Sequence, residues 1–499
     1  MDDTSLFQIG IVGGGFSGAL LAIRLIQASP LPLAITLIDK SGNFAKGVAY
    51  STTDPHHLLN VPAGKMGAFV EHPTHFYEWL QSNRSRWEEE DERFAALDIT
   101  PEAFLPRKLY GIYLDALLQE SITKAEADGF DIRLLKDAAT DTDRVTINTP
   151  YGRLPKLQVQ LSHSSIYVDV LVLAVGNFPS RTFPFESALF DTAGRYIKSI
   201  WTHADPHTRH ILRKQDLSDL PANETIAIIG TGLTMIDAVM SLHHRGYPGK
   251  IIALSRGGRL SEPHQHVAKP YPLMLGNPNG PLRIKSLYRR LRSEIRKAEA
   301  NGYGWRSVID AMRPYTQTLW KALVVEEKRK ALDYFYSWWN IHRHRIPPQS
   351  HQVMTELLAS GKLSIYAADI YHVGGKGNHP LSIAYRKRGS DKVSTLQAAY
   401  VMNCSGPELD IAKSRNPLLL HMRDKGLISV GPLRAGIELN EQGRVKGKAE
   451  RDIYALGPLL VGELLETTAV PELRGQAKAL ADTIVLRAEE VYNDRNIFI

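Results

Sequence analysis

A single cysteine, Cys404, stands in 499 residues. One thiol excludes an intramolecular disulfide, fits a reducing compartment, and argues against a disulfide reductase, which needs two cysteines at its redox centre. Long apolar runs are missing too: no stretch approaches the roughly 20 residues that span a bilayer. The apolar stretch near the N-terminus starts too late and holds too many glycines for a secretion signal. The expectation is a cytoplasmic protein with no membrane partner. There is no Lys/Arg block, repeat or low-complexity tract. The net charge of +7 is spread along the chain. It therefore reads as a surface that attracts small anions, and nucleic acid is not expected as a partner. No nucleophile elbow, P-loop or paired-carboxylate signature occurs. The histidines lack cysteines or metal-spaced carboxylates beside them, so no metal is expected.

What is present is an ordinary globular composition, 43% hydrophobic and 23% charged, long enough for two or three domains. Near the start, "FQIGIVGGG" reads as a buried strand ending in glycines, and "SGALLAIRLIQAS" as a helix with apolar Leu20, Leu21, Ile23, Leu25 and Ile26. Between them Gly13, Gly15 and Gly18 form G-x-G-x-x-G. The first permits a tight turn, the second lets the backbone approach a pyrophosphate, and the third packs helix on strand. The helix N-terminus offers free N–H groups to the anion. The next strand, "AITLID", ends in Asp39, 21 residues beyond Gly18. A carboxylate there can accept hydrogen bonds from a ribose diol.

The design recurs from residue 224. The strand "TIAIIG" is followed by Gly230 and Gly232, a helix from about Leu233 to His244, and the strand "KIIALSR". Met235 stands where the third glycine belongs, so helix packing is expected to be looser. Here the second strand ends in Ser255 and Arg256. An arginine in the acid's place suits a 2′-phosphate and points to NADPH over NADH. One acid-ended and one arginine-ended site imply two dinucleotides, FAD at the first and NADPH at the second.

Three later segments are expected to complete a flavin domain. "VDVLVLAVGNFPSR" is an apolar strand with Gly176 after it, and "AAYVMNCSGPELD" has the same shape, with Cys404 as an inert core residue. "RDIYALGPLLVGELLETTAVPELRGQAKALADTIVL" is a strand, a glycine loop and a long amphipathic helix. Gly457 and Gly462 are expected near the FAD chain, or in a plain hairpin turn, and the helix N-terminus is expected to aim at the flavin pyrimidine ring.

Over essentially its whole length the chain resembles the bacterial FAD/NAD(P)-binding proteins related to N-hydroxylating and flavin-containing monooxygenases. The residues that carry this are "GGGFSGALLA", "GVAYSTTDPHHLLNVPAGKM", "FLPRKLYGIYL", "AIIGTGLTMIDA", "HRHRIPP", "VMNCSGP" and "YALGPLLVGELLETTAVPELRGQA". "LLNVPAGKM" looks like the Asn-x-Pro-x-x-x-Met segment that flavin-containing monooxygenases place against the isoalloxazine. The resemblance implies Asn60 beside the flavin, with Pro62 and Met66 shaping its pocket. It places Arg107 at a phosphate or a helix cap. The chain departs from the family in lacking Phe-x-Gly-x-x-x-His before the second glycine motif. That region reads "RYIKSIWTHADPH", with His203 the nearby histidine, and this argues against Baeyer–Villiger chemistry.

From about 275 to 350 the composition shifts to charged helices with four tryptophans, a helical insert suited to covering a cofactor cleft. In "HRHR", His342 and Arg345 would share a helix face, and Arg345 would clamp a carboxylate or phosphate, or simply close an ion-paired helix end. His264 and His266 are candidates for a nicotinamide or adenine contact, or a polar loop. The expected fold class is α/β, two Rossmann-like dinucleotide-binding domains with a helical insert. Its boundaries are read as 1–205 (FAD, first part), 206–370 (NAD(P)H, with the insert) and 371–499 (FAD, completing part). The expected activity is NADPH-dependent flavoprotein monooxygenation of a small, possibly anionic amine or amino acid, with molecular oxygen as co-substrate and Asn60 and Arg345 as candidate catalytic residues. Two alternatives stay open. One is an NAD(P)H:acceptor oxidoreductase without oxygen insertion. The other is a flavin-binding sensor with a vestigial nicotinamide site, suggested by Met235. Oligomeric state is not legible.

Overall fold

The structure is a computed structural model that describes all residues except 1–5, 150–151, 190–193, 202–222, 268, 274–280, 378, 441–442, 450–451 and 497–499. His203 lies outside the described residues. The chain divides into two compact units, one of residues 1–53, 61–178 and 409–499, the other of 54–60 and 179–408.

In the first unit five described strands form one parallel sheet, in the spatial order Ile453–Ala455, Val170–Leu173, Phe7–Val12, Leu33–Ile38, Asp131–Leu135. Its inner strands are apolar at nearly every position, as a sheet covered on both faces requires. The helix Phe16–Ala28 packs against the long C-terminal helix Val470–Asn496 on this sheet. An antiparallel meander of Asp141–Thr149, Gly152–Gln160 and Ser165–Val168 shares a core with Leu418, Leu419 and Met422 of the helix Pro417–Asp424.

In the second unit seven described strands form a mixed sheet. The parallel part runs Leu363–Gly374, Lys250–Ser255, Thr225–Ile229, Tyr400–Asn403, Tyr196–Ile197, and Leu381–Lys387 and Val393–Ala398 extend it antiparallel. The division between units falls at 178/179 and 408/409, not at the 205/206 and 370/371 read from the sequence. The reason is that Leu363–Gly374 pairs with strands on both sides, so the segment after residue 370 continues the second sheet instead of returning to the first, and Tyr400–Asn403, expected in the flavin domain, pairs with Thr225–Ile229 in that second sheet.

The helical insert is present. Ile284–Ala300, Trp305–Met312, Thr316–Ala322, Val325–Lys330 and Tyr336–Arg343 lie between Lys250–Ser255 and Leu363–Gly374, with Leu291, Val308, Ile309 and Trp339 in a core of their own.

Candidate functional site

Both glycine motifs sit at the C-terminal ends of parallel strands, where open α/β sheets bind ligands. In the first unit Gly13 has φ +104°, and a Cβ there would lie 2.1 Å from the Ala174 carbonyl oxygen at the end of the neighbouring strand. Only glycine fits. A Cβ on Gly18 would lie 1.9 Å from the Gly13 oxygen, which is the close helix–strand packing expected of the third glycine. At Gly15 it would stand 3.0 Å from the Gly47 Cα. Asp39 closes the cradle: one carboxylate oxygen accepts the Gly14 N–H at 3.0 Å, the other the Ser41 N–H and hydroxyl at 2.8 and 2.6 Å.

The second unit repeats this construction. Gly230 has φ +110°, and its Cβ would lie 2.2 Å from the Cys404 carbonyl oxygen, again at the end of the adjacent strand. Gly232 has open space beside it and precedes the helix Leu233–His244. Met235 is fully buried in the core of this unit, so the third glycine's place is filled by side-chain packing. Thr231 and Ser255 join the two strand ends through their hydroxyls at 2.9 Å, and Ser255 also accepts the Gly258 N–H. Arg256 is exposed and makes no ion pair among the described residues.

Asn60 belongs to a short segment, 54–60, of the second unit, whereas Pro62 and Met66 belong to the first. The Asn60 carbonyl accepts from His264 Nε2 at 2.9 Å, a contact that gives that loop histidine a definite structural task. Met66 is buried, and Pro62 precedes the short 3-10 helix Ala63–Lys65. Arg107 is buried at the first turn of Arg107–Ala127. Burial pushes the nearby Tyr50 hydroxyl up to about 12, with the Arg107 charge opposing. Gly176 has open space beside it; a Cβ on Gly457 would lie 3.1 Å from Ser17 Oγ, and one on Gly462 2.3 Å from the Ala435 oxygen. Gly457 thus brings the last loop against the start of the first helix, while Gly462 is a packing glycine.

The bidentate clamp read at Arg345 is not there. The helix ends at Arg343, so His342 and Arg345 do not share a helical face. The Arg345 side chain is 4% exposed and its guanidinium is paired with Asp310. Cys404 is buried, which pushes its thiol far above the usual range and leaves it without thiolate character.

Residues 10–178 match the family model described as FAD-NAD(P)-binding. Among curated proteins, no sequence matches the chain. Solved structures share its fold across nearly the whole length. L-lysine 6-monooxygenase from Pseudomonas syringae is 16% identical, with a TM-score of 0.64, covering 97% of this chain and 99% of that one. The ornithine N-hydroxylase of Kutzneria sp. 744, solved with reduced FAD, NADP+ and L-ornithine, is 13% identical, with a TM-score of 0.56, covering 97% and 99%. The bacillithiol disulfide reductase of Staphylococcus aureus is 12% identical, with a TM-score of 0.53 and the same coverage. No helix among the described residues is long and apolar enough to cross a membrane.

The segment matched by that family model and the C-terminal segments of its unit fit a flavin dinucleotide. Besides the cradle, they hold a buried polar group with no partner among the described residues. Thr467 is 0% exposed, and its hydroxyl has no hydrogen bond among the described residues. It follows a γ-turn at Leu465, where φ is +58° and ψ −61° and the Glu466 N–H reaches the Leu464 oxygen at 2.7 Å. A leucine in the left-handed region is strained, and such strain concentrates at ligand clamps. Thr467 stands three residues before the helix Val470–Asn496 and was passed over in the sequence. The "TTAV" before a long amphipathic run was its one signal, and that reads equally as a helix cap.

Proposed function

We propose that the chain is an NADPH-dependent flavoprotein monooxygenase acting on a small amine. One observation carries the reading: two cradles of the same construction end in opposite charges, Asp39 in the first and the exposed Arg256 in the second. Asp39 accepts the ribose diol of FAD, and the N–H groups at the start of Phe16–Ala28 face its pyrophosphate. The second cradle takes NADPH, with Arg256 on the 2′-phosphate. FAD, when bound, supplies the redox and oxygen chemistry.

The chain's own residues then bind, orient and exclude water. Thr467 donates its hydroxyl to the flavin, and the Asn60 amide holds the reacting oxygen or the substrate nitrogen by hydrogen bonding. The shared fold with lysine and ornithine hydroxylases supports an alkyl amine or amino acid as substrate. With Arg345 occupied by Asp310, a carboxylate on that substrate would be met elsewhere.

The test is anaerobic reduction by NADPH, followed by mixing with oxygen and ornithine, lysine or other alkyl amines. The reading requires the flavin to bleach with NADPH and an amine to be hydroxylated on reoxidation. A second reading, electron transfer from NAD(P)H to an acceptor without oxygen insertion, draws on the fold shared with a disulfide reductase. It predicts the same bleaching with no amine product.

A further inference from the structure

In the second unit a buried serine meets a histidine and an aspartate that lie 184 and 187 residues before it in sequence. The Ser241 hydroxyl lies 2.6 Å from Asp54 Oδ2 and 2.9 Å from His57 Nε2, and all three side chains are buried. The order of the trio decides what it does. An ionised carboxylate only accepts, so the single Ser241 proton goes to Asp54, and His57 must donate its Nε2–H to Ser241 Oγ. A hydrolytic triad runs the other way, from serine to histidine to aspartate. Here the serine is a bridge and not a nucleophile.

What the bridge joins is specific. Asp54 and His57 open the segment 54–60 that ends in Asn60, while Ser241 sits on the helix Leu233–His244 that starts at the second nucleotide cradle. Eight residues of helix separate Ser241 from Leu233, a rigid span of about 12 Å. Further contacts fix the same segment. The Asp54 Oδ1 accepts the His56 N–H at 3.0 Å with His56 Nδ1 at the same distance, and Arg245 stands 3.7 Å from Oδ2. The His56 ring lies on that of His244, and His264 holds the Asn60 carbonyl at the far end. Burial alone would raise the Asp54 carboxyl, but the His56, His57 and Ser241 contacts outweigh it and hold it well below the usual range. The carboxylate is therefore ionised and fully engaged.

We propose that Asp54, His57 and Ser241 are positioning residues: they lock the segment 54–60 onto the nucleotide helix, so that the place of the Asn60 amide is set from the NADPH side. This rests on the role given to Asn60 under the proposed function. A polar network this deeply buried specifies one arrangement when every member is satisfied, and loses it when one is removed.

The experiment uses the FAD-loaded enzyme with Ser241→Ala, Asn60→Ala and the double variant. Hydrogen exchange is followed over the peptide covering 54–60, and NADPH-driven turnover is measured as kcat and KM. Ser241→Ala is expected to speed exchange across 54–60 at least tenfold, with the peptide over the second cradle and the FAD content unchanged. It should lower kcat at least fivefold with little change in the NADPH KM, and Ser241→Thr should restore it by returning the hydroxyl. In the Asn60→Ala background the same change should lower kcat no further, because the bridge acts through Asn60.

Unchanged exchange over 54–60 overturns the bridge, and additive losses in the double variant overturn the positioning role. Asp54→Asn, which keeps the shape and weakens the acceptor, serves if Ser241→Ala does not fold. Absence of any hydroxylated amine in the wild type would end the monooxygenase reading, while exchange and the double-variant comparison would still decide this one.

Discussion

The imidazole rings of His56 and His244 are stacked, 3.7 Å between centroids and 10° from parallel. Burial, together with repulsion from His56 and His243, lowers His244 to about 4, against which Asp54 pulls upward. Arg245 adds a further positive charge beside the same carboxylate. In the unfolded chain the group titrates near its ordinary 6.5. Between those values the unfolded state binds more protons, so stability is present above about 6.5 and is lost as pH falls toward 4. Asp54, held low, contributes its own loss only below its ordinary range. His75 is also lowered, by burial and His72, and acts with the same sign. Urea unfolding between pH 7 and 4 should therefore steepen in the wild type and flatten in His244→Gln, and the difference between the two isolates the stack.

The two cradles should fail separately. Gly13→Ala puts a Cβ on the Ala174 oxygen in a backbone region that alanine rarely adopts, a cost of about 1–3 kcal/mol before the clash is counted. Gly230→Ala does the same against the Cys404 oxygen. Gly13→Ala is expected to purify without FAD. Gly230→Ala is expected to keep FAD and lose its response to NADPH. Absorbance spectra with and without NADPH distinguish the two.

Asp39 and Arg256 should discriminate by ligand. Asp39→Ala frees the Gly14 N–H and removes the acceptor proposed for the ribose diol, so FAD retention should fall. Arg256→Ala should raise the KM for NADPH at least tenfold and leave that for NADH within twofold, because only the 2′-phosphate is lost.

Thr467 gives an opposite pair of effects. Its hydroxyl is buried without a partner among the described residues, so Thr467→Val removes an unsatisfied group at nearly constant shape. The apo protein should be as stable as the wild type or about 1 kcal/mol more stable. FAD should bind more weakly. Thermal unfolding with and without FAD checks both signs in one series.

Local features were legible from the sequence because their physics is local. Gly13, Gly18 and Asp39 lie within one strand–helix–strand unit; the two glycines make the close approaches that their spacing implies, and Asp39 ties the glycine loop to the turn at Ser41. Met235 was read as a degraded glycine, but its fully buried side chain fills the place instead. What escaped depends on pairing across long separations. The continuation of the second sheet past residue 370 needs the register of Leu363–Gly374 with both neighbours. The capture of Arg345 by Asp310 spans 35 residues, and the Asp54–Ser241 bond spans 187. No periodicity marks a serine whose partner lies that far away.

The central claim is that electrons taken from NADPH end in an oxygenated amine. The measurement closest to it is the ratio of hydroxylated product to NADPH consumed, with hydrogen peroxide counted in the same reaction, across ornithine, lysine and other alkyl amines. One of these amines should accelerate NADPH oxidation and yield product close to one per NADPH, with little peroxide. NADPH oxidation indifferent to every amine, with peroxide or an external acceptor taking all the electrons, would contradict it.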